Sequence, residues 1–539
     1  MKTKRIFLIW LVAGVFSCAV ECGIDDNNTH NPGGGGTHNP GGNGTNNPGG
    51  GGNGPRVGET KTFWILNEDD RFEQVNAVLR SEGKYSTFWV QANFKYDQST
   101  LDRLVAEYDD KIRPAVLNAF AMQGPITDPD TGKVVAQNSL EWADYLGDGD
   151  GKLAVLLVDL GSGDLVTLGY FHGADFYAKA DPRHQDYKYS NEADIVYMNI
   201  HLMNKPEPFN ETLAHEAQHL INFVNSALLR RFLDEDYDMW DWHRMDRWIN
   251  EGLSSAAEYV YSGKHSEHHL HWYKDNSQSD KVRRIPFGNN FFIWGEHPNA
   301  IMDEYATVYL FFQWLRLQAG GGNKIYQDIG VSPEFDYKAV VKALQGKGNY
   351  ADENNLQWGT LLRDWMLSNF MASSANAPPR HSYMKDPLLS TIGVTTLYGG
   401  DQIQLLPGEG VYSITRSAGT NYASSGNIRY ACADYSNGVI NNGTSIKDGF
   451  LLTYNINTQR TGALGNLLET GRTSPDKSMA PSNAPRENMD AEPISRPPTL
   501  YGISLWDMIS LRKHQKQMKA QGLEVPVFKN AQSLRPLEN

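Results

Sequence analysis

Cysteine is scarce: the 539 residues contain three, Cys18, Cys22 and Cys432. That excludes a disulfide framework, so an apolar core must supply the stability, and a single Cys22 to Cys432 bridge is the most that could be added. Positive charge is also in deficit, with a formal net charge of -14 and a pI near 5.5. A general nucleic-acid or anionic-lipid binder needs a basic surface, so both classes are excluded, although a local basic patch stays open. No apolar run is long enough to span a bilayer as a helix; the one from Ile6 to Phe16 is too short. A Gly-rich phosphate loop, a serine nucleophile elbow and a CxxC pair are all missing. Against these absences stand 40% hydrophobic and 11% aromatic residues. That is enough for one large core or two to three moderate ones, and hence for an enzyme-sized fold.

Met-Lys-Thr-Lys-Arg followed by the Ile6 to Phe16 run has the charged and apolar regions of an export signal, here residues 1–22. Val15, Phe16, Ser17 and Cys18 resemble the lipobox of bacterial lipoproteins, in which the cysteine is lipidated. Phe16 is bulkier than the usual residue, so plain cleavage and secretion is the alternative to a lipid anchor at Cys18. Residues 23–57 repeat a unit close to Thr-His-Asn-Pro-Gly-Gly and are expected to be a flexible tether, with weak metal binding by His30 and His38 a minor reading.

Strand patterns lie at Thr62 to Leu66, Thr87 to Phe94, Lys152 to Leu160, Leu165 to Phe171 and Ala193 to Leu202. A helical pattern from Leu101 to Met122 is interrupted or restarted by Pro114. Residues 58–205 thus form an α+β subdomain dominated by a sheet. Residues 206–385 carry long helical periods at Glu211 to Phe232, Trp248 to Tyr261, Ile301 to Gln318 and Trp358 to Ala372. Short strands and Gly/Asn/Ser turns mark a small β domain over residues 386–470. A Pro/Ser-rich linker then covers 471–500, and a tail over 501–539 has one basic helix at Leu505 to Ala520.

The chemistry sits in Thr-Leu-Ala-His-Glu-Ala-Gln-His-Leu-Ile, which puts His215 and His219 one turn apart on one helix face. Two imidazoles so spaced can bind one zinc ion, and Glu216 between them can take a proton from the attacking water. Ordinary buried histidines are the bland alternative. A catalytic zinc needs a third protein ligand. The second helix, Arg-Trp-Ile-Asn-Glu-Gly-Leu-Ser-Ser-Ala-Ala-Glu-Tyr, has its apolar stripe at Ile249, Leu253, Ala256 and Val260 and offers Glu251. Glu258, on nearly the same face, can brace a ligand from behind; for both glutamates a solvated helix face is the competing reading.

HEAQH followed by WINEGLSSAAEY resembles the gluzincin group of metallopeptidases and, more closely, the hyicolysin family of bacterial metallopeptidases. Asn222, the Asp148-Gly-Asp150-Gly-Lys turn before Leu-Ala-Val-Leu-Leu-Val-Asp, and Leu168-Gly-Tyr-Phe complete the likeness over about residues 60 to 370. Ala217 departs from the usual aromatic or aliphatic residue, which bears on packing. The separation of His219 from Glu251 is longer than in thermolysin-like relatives, implying an inserted loop containing Asp234 to Asp246. The resemblance implies a gluzincin-like α+β fold, one catalytic Zn2+, and endopeptidase action on extracellular or envelope proteins. It also implies an oxyanion donor, Tyr305 with Tyr309 as rival, both equally readable as core tyrosines. The strand near Ile195 to Met198 would be the edge that pairs with substrate.

Two weaker constellations remain. Asp148, Asp150 and Gly151 match the third, fifth and sixth positions of an EF-hand, but Leu146 and Leu157 fail the first and twelfth. A tight turn is therefore favoured over a structural Ca2+ site. His265, His268, His269 and His271 with Glu267 are expected in a solvated loop rather than at a second metal. The rival from another class is a surface-anchored adhesion or binding lipoprotein on a peptidase scaffold, against which the intact Glu216 argues. Membrane contact is expected through the lipid anchor alone, and oligomeric state leaves no mark in the sequence.

Overall fold

The computed structural model describes residues 55–67, 71–127, 132–162, 167–180, 185–233, 245–274, 288–289, 291–292, 300–394, 396–397, 405 and 407–458. The export signal with Cys18 and Cys22, nearly all of the tether, most of the Asp234 to Asp246 loop, the linker and the tail helix lie outside them. Cys432 is buried. Among the described residues no helix is long and apolar enough to cross a membrane.

The chain is α+β. β1 (Thr60–Leu66), β2 (Phe72–Glu82) and β3 (Ser86–Gln91) form an antiparallel meander. α1 (Gln98–Glu107) runs through a π turn, Tyr108–Ile112, into α2 (Arg113–Phe120) without leaving helical φ/ψ. Pro114 thus falls in the first turn of α2, where the backbone returns from π to α hydrogen bonding. A proline in a helix loses one amide donor and crowds the carbonyl four residues back, and the wider turn just upstream provides the room. The small hairpin β4 (Gln123–Thr127) and β5 (Val134–Asn138) leads into α3 (Ser139–Leu146), capped by the Asn138 side chain on the amides of Leu140 and Glu141.

β6 (Leu153–Val158) is buried along its whole length, as befits a strand covered on both faces. It pairs parallel with β3 on one side and with β8 (Ile195–Asn199) on the other; the short β7 (Gly169–Phe171) pairs antiparallel with β8. The strand order is β1-β2-β3-β6-β8-β7. Alternation splits the side chains: Val155, Leu157, Val196 and Met198 join the main core under the helices, while Leu156, Val158, Ile195 and Tyr197 line a smaller core on the other face.

Two sequence expectations need correction here, and one strand, β2, was not among those the sequence suggested. β8 is not an edge strand, because β7 covers it. β2 alternates Val75, Ala77 and Leu79 against the core, a period-2 pattern hidden among helix-forming polar residues. The third strand stops at Gln91, where Asn93 turns to φ 73. The tight turn, by contrast, is present over Gly147 to Gly151, with Gly149 and Gly151 at φ 70 and 85.

The helical part comprises α4 (Pro206–Leu233), α5 (Arg247–Ser262), α6 (Glu267–Lys274), α7 (Ala300–Gln318), α8 (Lys324–Gly330), α9 (Tyr337–Leu344) and α10 (Trp358–Met371). The last strands are β9 (Gly288–Asn289), β10 (Thr396–Leu397), β11 (Gly410–Ile414), β12 (Ile428–Ala433), β13 (Ile440–Asn441) and β14 (Phe450–Asn455). They form a second sheet in the order β10-β11-β14-β12-β13, with β9 also on β11. This sheet leans on α10, where the Tyr412 hydroxyl donates to the Met366 carbonyl and Phe370 packs on Phe450.

α5 is the hub of the helical core. Trp248 meets Phe291 at 5.2 Å and Trp358 at 5.6 Å between ring centroids. At Gly252 a Cβ would stand 2.3 Å from Cε2 of the buried Phe312 on α7, closer than atoms can pack. Gly252→Ala is accordingly expected to cost about 1–3 kcal/mol by overpacking, read as a lower urea midpoint with an unchanged slope. A change below about 0.5 kcal/mol would show this contact to be slack.

Candidate metal centre

α4 lies against β7, β8, α2, α3 and α5, and its Leu213, Ala214, Ala217, Leu220, Ile221 and Val224 are fully buried. Ala217 is thus a packing position. Helical periodicity then turns His215 and His219 together toward α5, with ring centroids 4.8 Å apart. Glu251 comes from the first turns of α5, placed by the burial of Trp248, Ile249 and Leu253 on either side of it.

Oε2 of Glu251 lies 3.7 Å from Nε2 of His215 and 3.4 Å from Nε2 of His219. The three residues form a buried group whose ligand atoms lie close enough together to hold one metal ion. Ligands at 2.0–2.2 Å from a tetrahedral ion stand about 3.4 Å apart, so the observed spacing fits zinc. The orphaned atoms fit as well: Nε2 of both histidines and both oxygens of Glu216 are buried without a hydrogen-bond partner.

Each imidazole is fixed from behind. Nδ1 of His215 stands 3.0 Å from Oε1 of Glu258, an acceptor, so it carries the proton and leaves Nε2 with a lone pair. Nδ1 of His219 is 2.9 Å from Oγ of Ser254, whose hydroxyl in turn donates to Oε1 of Gln218. Neither Glu251 nor Glu258 is a solvated face residue, each being 1% exposed. Glu258 also meets Nε2 of His269 at 3.5 Å.

Burial penalises every charge here, yet the partners decide most of the outcomes. For His215 burial works against the proton, but Glu251 and Glu258 outweigh it and raise the imidazole of the metal-free site to about 10, so a metal on Nε2 would take the place of a proton there. Burial opposes ionisation of Glu251 and Glu258 too; His219 and His215 nevertheless hold Glu251 well below the carboxylate range, and His269 and His215 hold Glu258 at about 2. Glu216 is the exception: burial pushes it up to about 7 although both histidines pull the other way. Two buried carboxylates in one site are thus driven apart, one firmly charged and one poised to exchange a proton near neutrality.

The fully buried Tyr305 on α7 donates its hydroxyl to Oε2 of Glu251 at 2.8 Å. Tyr309, one turn on, has its hydroxyl engaged elsewhere: its oxygen accepts from the Ser266 amide at 2.8 Å and lies 3.2 Å from Nδ1 of His265. The histidine cluster does not sit in a solvated loop. His268 and His269 are buried on α6, because that helix packs against α7, and His265 reaches Oδ2 of Asp386 at 2.9 Å. Sequence reasoning missed Ser254 and Gln218, and it put His269 in a loop where the structure buries it against Glu258. Ser254 lies three residues after Glu251, which is the one signal that could have found it.

No protein-family model matches the chain. It is distantly homologous to the neutral metalloprotease ShpI of Staphylococcus hyicus, 27% identical over 303 residues, which is 54% of this chain and 58% of that protein. The chain therefore spans a little under three fifths of that relative's length. The expected kinship with bacterial metallopeptidases is borne out at this distance.

Proposed function

We propose that the chain is a zinc-dependent endopeptidase acting on extracellular or envelope proteins, with His215, His219 and Glu251 as metal ligands and Glu216 as general base. The observation that carries this reading is the convergence of three buried ligand atoms on one point, with both imidazoles held in the Nε2-free tautomer. A zinc ion held there supplies a Lewis acid that acidifies water and polarises a peptide carbonyl. Glu216 takes the proton and later passes it to the leaving amine; its placement near pH 7 suits both halves of that task. Glu258 and Ser254 fix the imidazole planes. Tyr305 orients Glu251, and the same hydroxyl is the candidate donor to the oxyanion. One hydroxyl proton cannot serve both partners at once, so this assignment requires it to turn from Glu251 during the reaction. An extended substrate would pair with β7, the terminal strand of the sheet, rather than with β8. Export followed by lipidation at Cys18, or by plain secretion, places the enzyme where such substrates are.

The test is cleavage of unstructured casein by the purified chain. Activity is expected, is expected to vanish with a chelator, and should return on adding zinc. A chain that binds zinc yet cleaves nothing, even after proteolytic activation, would move the assignment to the binding-lipoprotein class.

A further inference from the structure

The Asp/Gly turn that misses the EF-hand register meets a distant partner in the fold. Asp144 is in the last turn of α3, Asp148 in the turn that follows, and Asp194 immediately precedes β8. A carboxylate oxygen from each lies within 4.8 Å of the others. Asp194 is 3% exposed, and its Oδ1 has no hydrogen-bond partner. That oxygen is aimed at the end of α3, since a Cβ on Gly147 would stand 2.9 Å from it. A cavity of about 100 Å³ lined by Asp144, Gly151, Lys152 and Asp194 opens at the same place.

Lys61 offsets part of the charge on Asp148, whereas the charges that act most on Asp144 and Asp194 are those of other carboxylates. Among the described residues none of the three carboxylates forms an ion pair. Lys152 is engaged by Glu82, and the Arg113 guanidinium, at the cavity wall, lies 3.9 Å above the ring of Tyr85. Three carboxylates gathered in a partly buried site with a single lysine acting on one of them are costly to ionise, and a bound cation removes that cost.

We propose that Asp144, Asp148 and Asp194 form a calcium site, with Asp150 at its rim. Every donor is a hard oxygen, which disfavours zinc and copper. The donors come from a helix end, a glycine turn and a strand start, an irregular set that calcium tolerates and magnesium, with its strict octahedron, does not. The C-terminal end of α3 adds partial negative charge in the same direction. Burial, and after it the charges of Asp148, Asp144 and Asp150, push Asp194 far above the usual range. Burial likewise raises Asp144, and it raises Asp150 to about 7 with help from Asp148. The EF-hand template fails because the first ligand precedes Leu146 and the last arrives from another strand. Bound calcium would tie the α3 to β6 turn to the start of β8, and so brace the sheet that supports α4.

The experiment is thermal unfolding of the full chain, stripped of metal, reloaded with zinc and titrated with Ca2+ or Mg2+, beside Asp194→Asn and Asp144→Asn. Calcium at millimolar concentration is expected to raise the wild-type Tm by about 5 °C or more, with magnesium doing little. Without calcium, Asp194→Asn should melt no lower than wild type, because a carboxyl that burial and its neighbours keep from ionising gives way to a neutral amide of the same shape, and calcium should not shift it. A wild type that ignores calcium overturns the proposal. So does a variant that keeps the shift, which would place the ion elsewhere. If Asp194→Asn does not fold, the calcium response of Asp144→Asn decides by the same criterion.

Discussion

Replacing Glu216 with glutamine is expected to lower kcat by about 10²–10⁴-fold while zinc content and thermal stability stay close to wild type. The amide has the same shape, so the packing around it is preserved, but it cannot accept a proton. Both Glu216 oxygens are buried and unpartnered within the protein, so no structural hydrogen bond is lost in the exchange. Metal analysis beside peptide-cleavage kinetics checks this. Substantial turnover by the zinc-loaded variant would remove Glu216 from the role of base. Tyr305→Phe in the same assay separates two duties of that hydroxyl. A fall of about 10²-fold in kcat at full zinc occupancy marks oxyanion stabilisation, whereas a fall in zinc affinity marks the orientation of Glu251.

Zinc affinity should fall in two clearly different steps along the ligand chain. Glu258→Gln leaves all three ligands in place and weakens the acceptor behind His215, along with the ion pair to His269, so a loss of roughly 10–100-fold is expected. Glu251→Ala removes a ligand and should cost considerably more. It also strips His215 and His219 of a buried carboxylate partner, so the metal-free variant is expected to lose about 3–5 kcal/mol of stability as well. Competition titration with a zinc chelator and melts of the metal-free proteins report the two effects separately. Equal affinities for the two variants would mean that Glu251 is not a ligand.

The candidate site was legible to the extent that it is local. His215 and His219 share a face because helical geometry puts them there, and the stripe of Ile249, Leu253 and Ala256 fixes which side of α5 is buried. That stripe reads the same whatever α5 packs against. The all-apolar run of β6 announces a central strand for a similar reason. What could not be read were the relations between elements. The order that seats β8 inside the sheet depends on where β7 returns. The pairing of His219 with Ser254 and Gln218 depends on the crossing of α4 over α5, and burial of the His268–His269 pair depends on α6 lying against α7. The turn at Asp148 reads as a turn and nothing more until Asp194 arrives beside it.

The sequence by itself therefore determined the helix and strand periods, the metal-ligand spacing and the chemistry those residue types allow. These depend on dihedral preferences and on which side chains leave water, both set by near neighbours along the chain. The tertiary structure alone decided which carboxylate stands behind which imidazole, which glutamate is held charged and which is poised near neutrality, and which acidic groups are forced together. Those outcomes are set by distance and desolvation between segments remote in sequence, and Coulomb energies in a buried site change steeply with both.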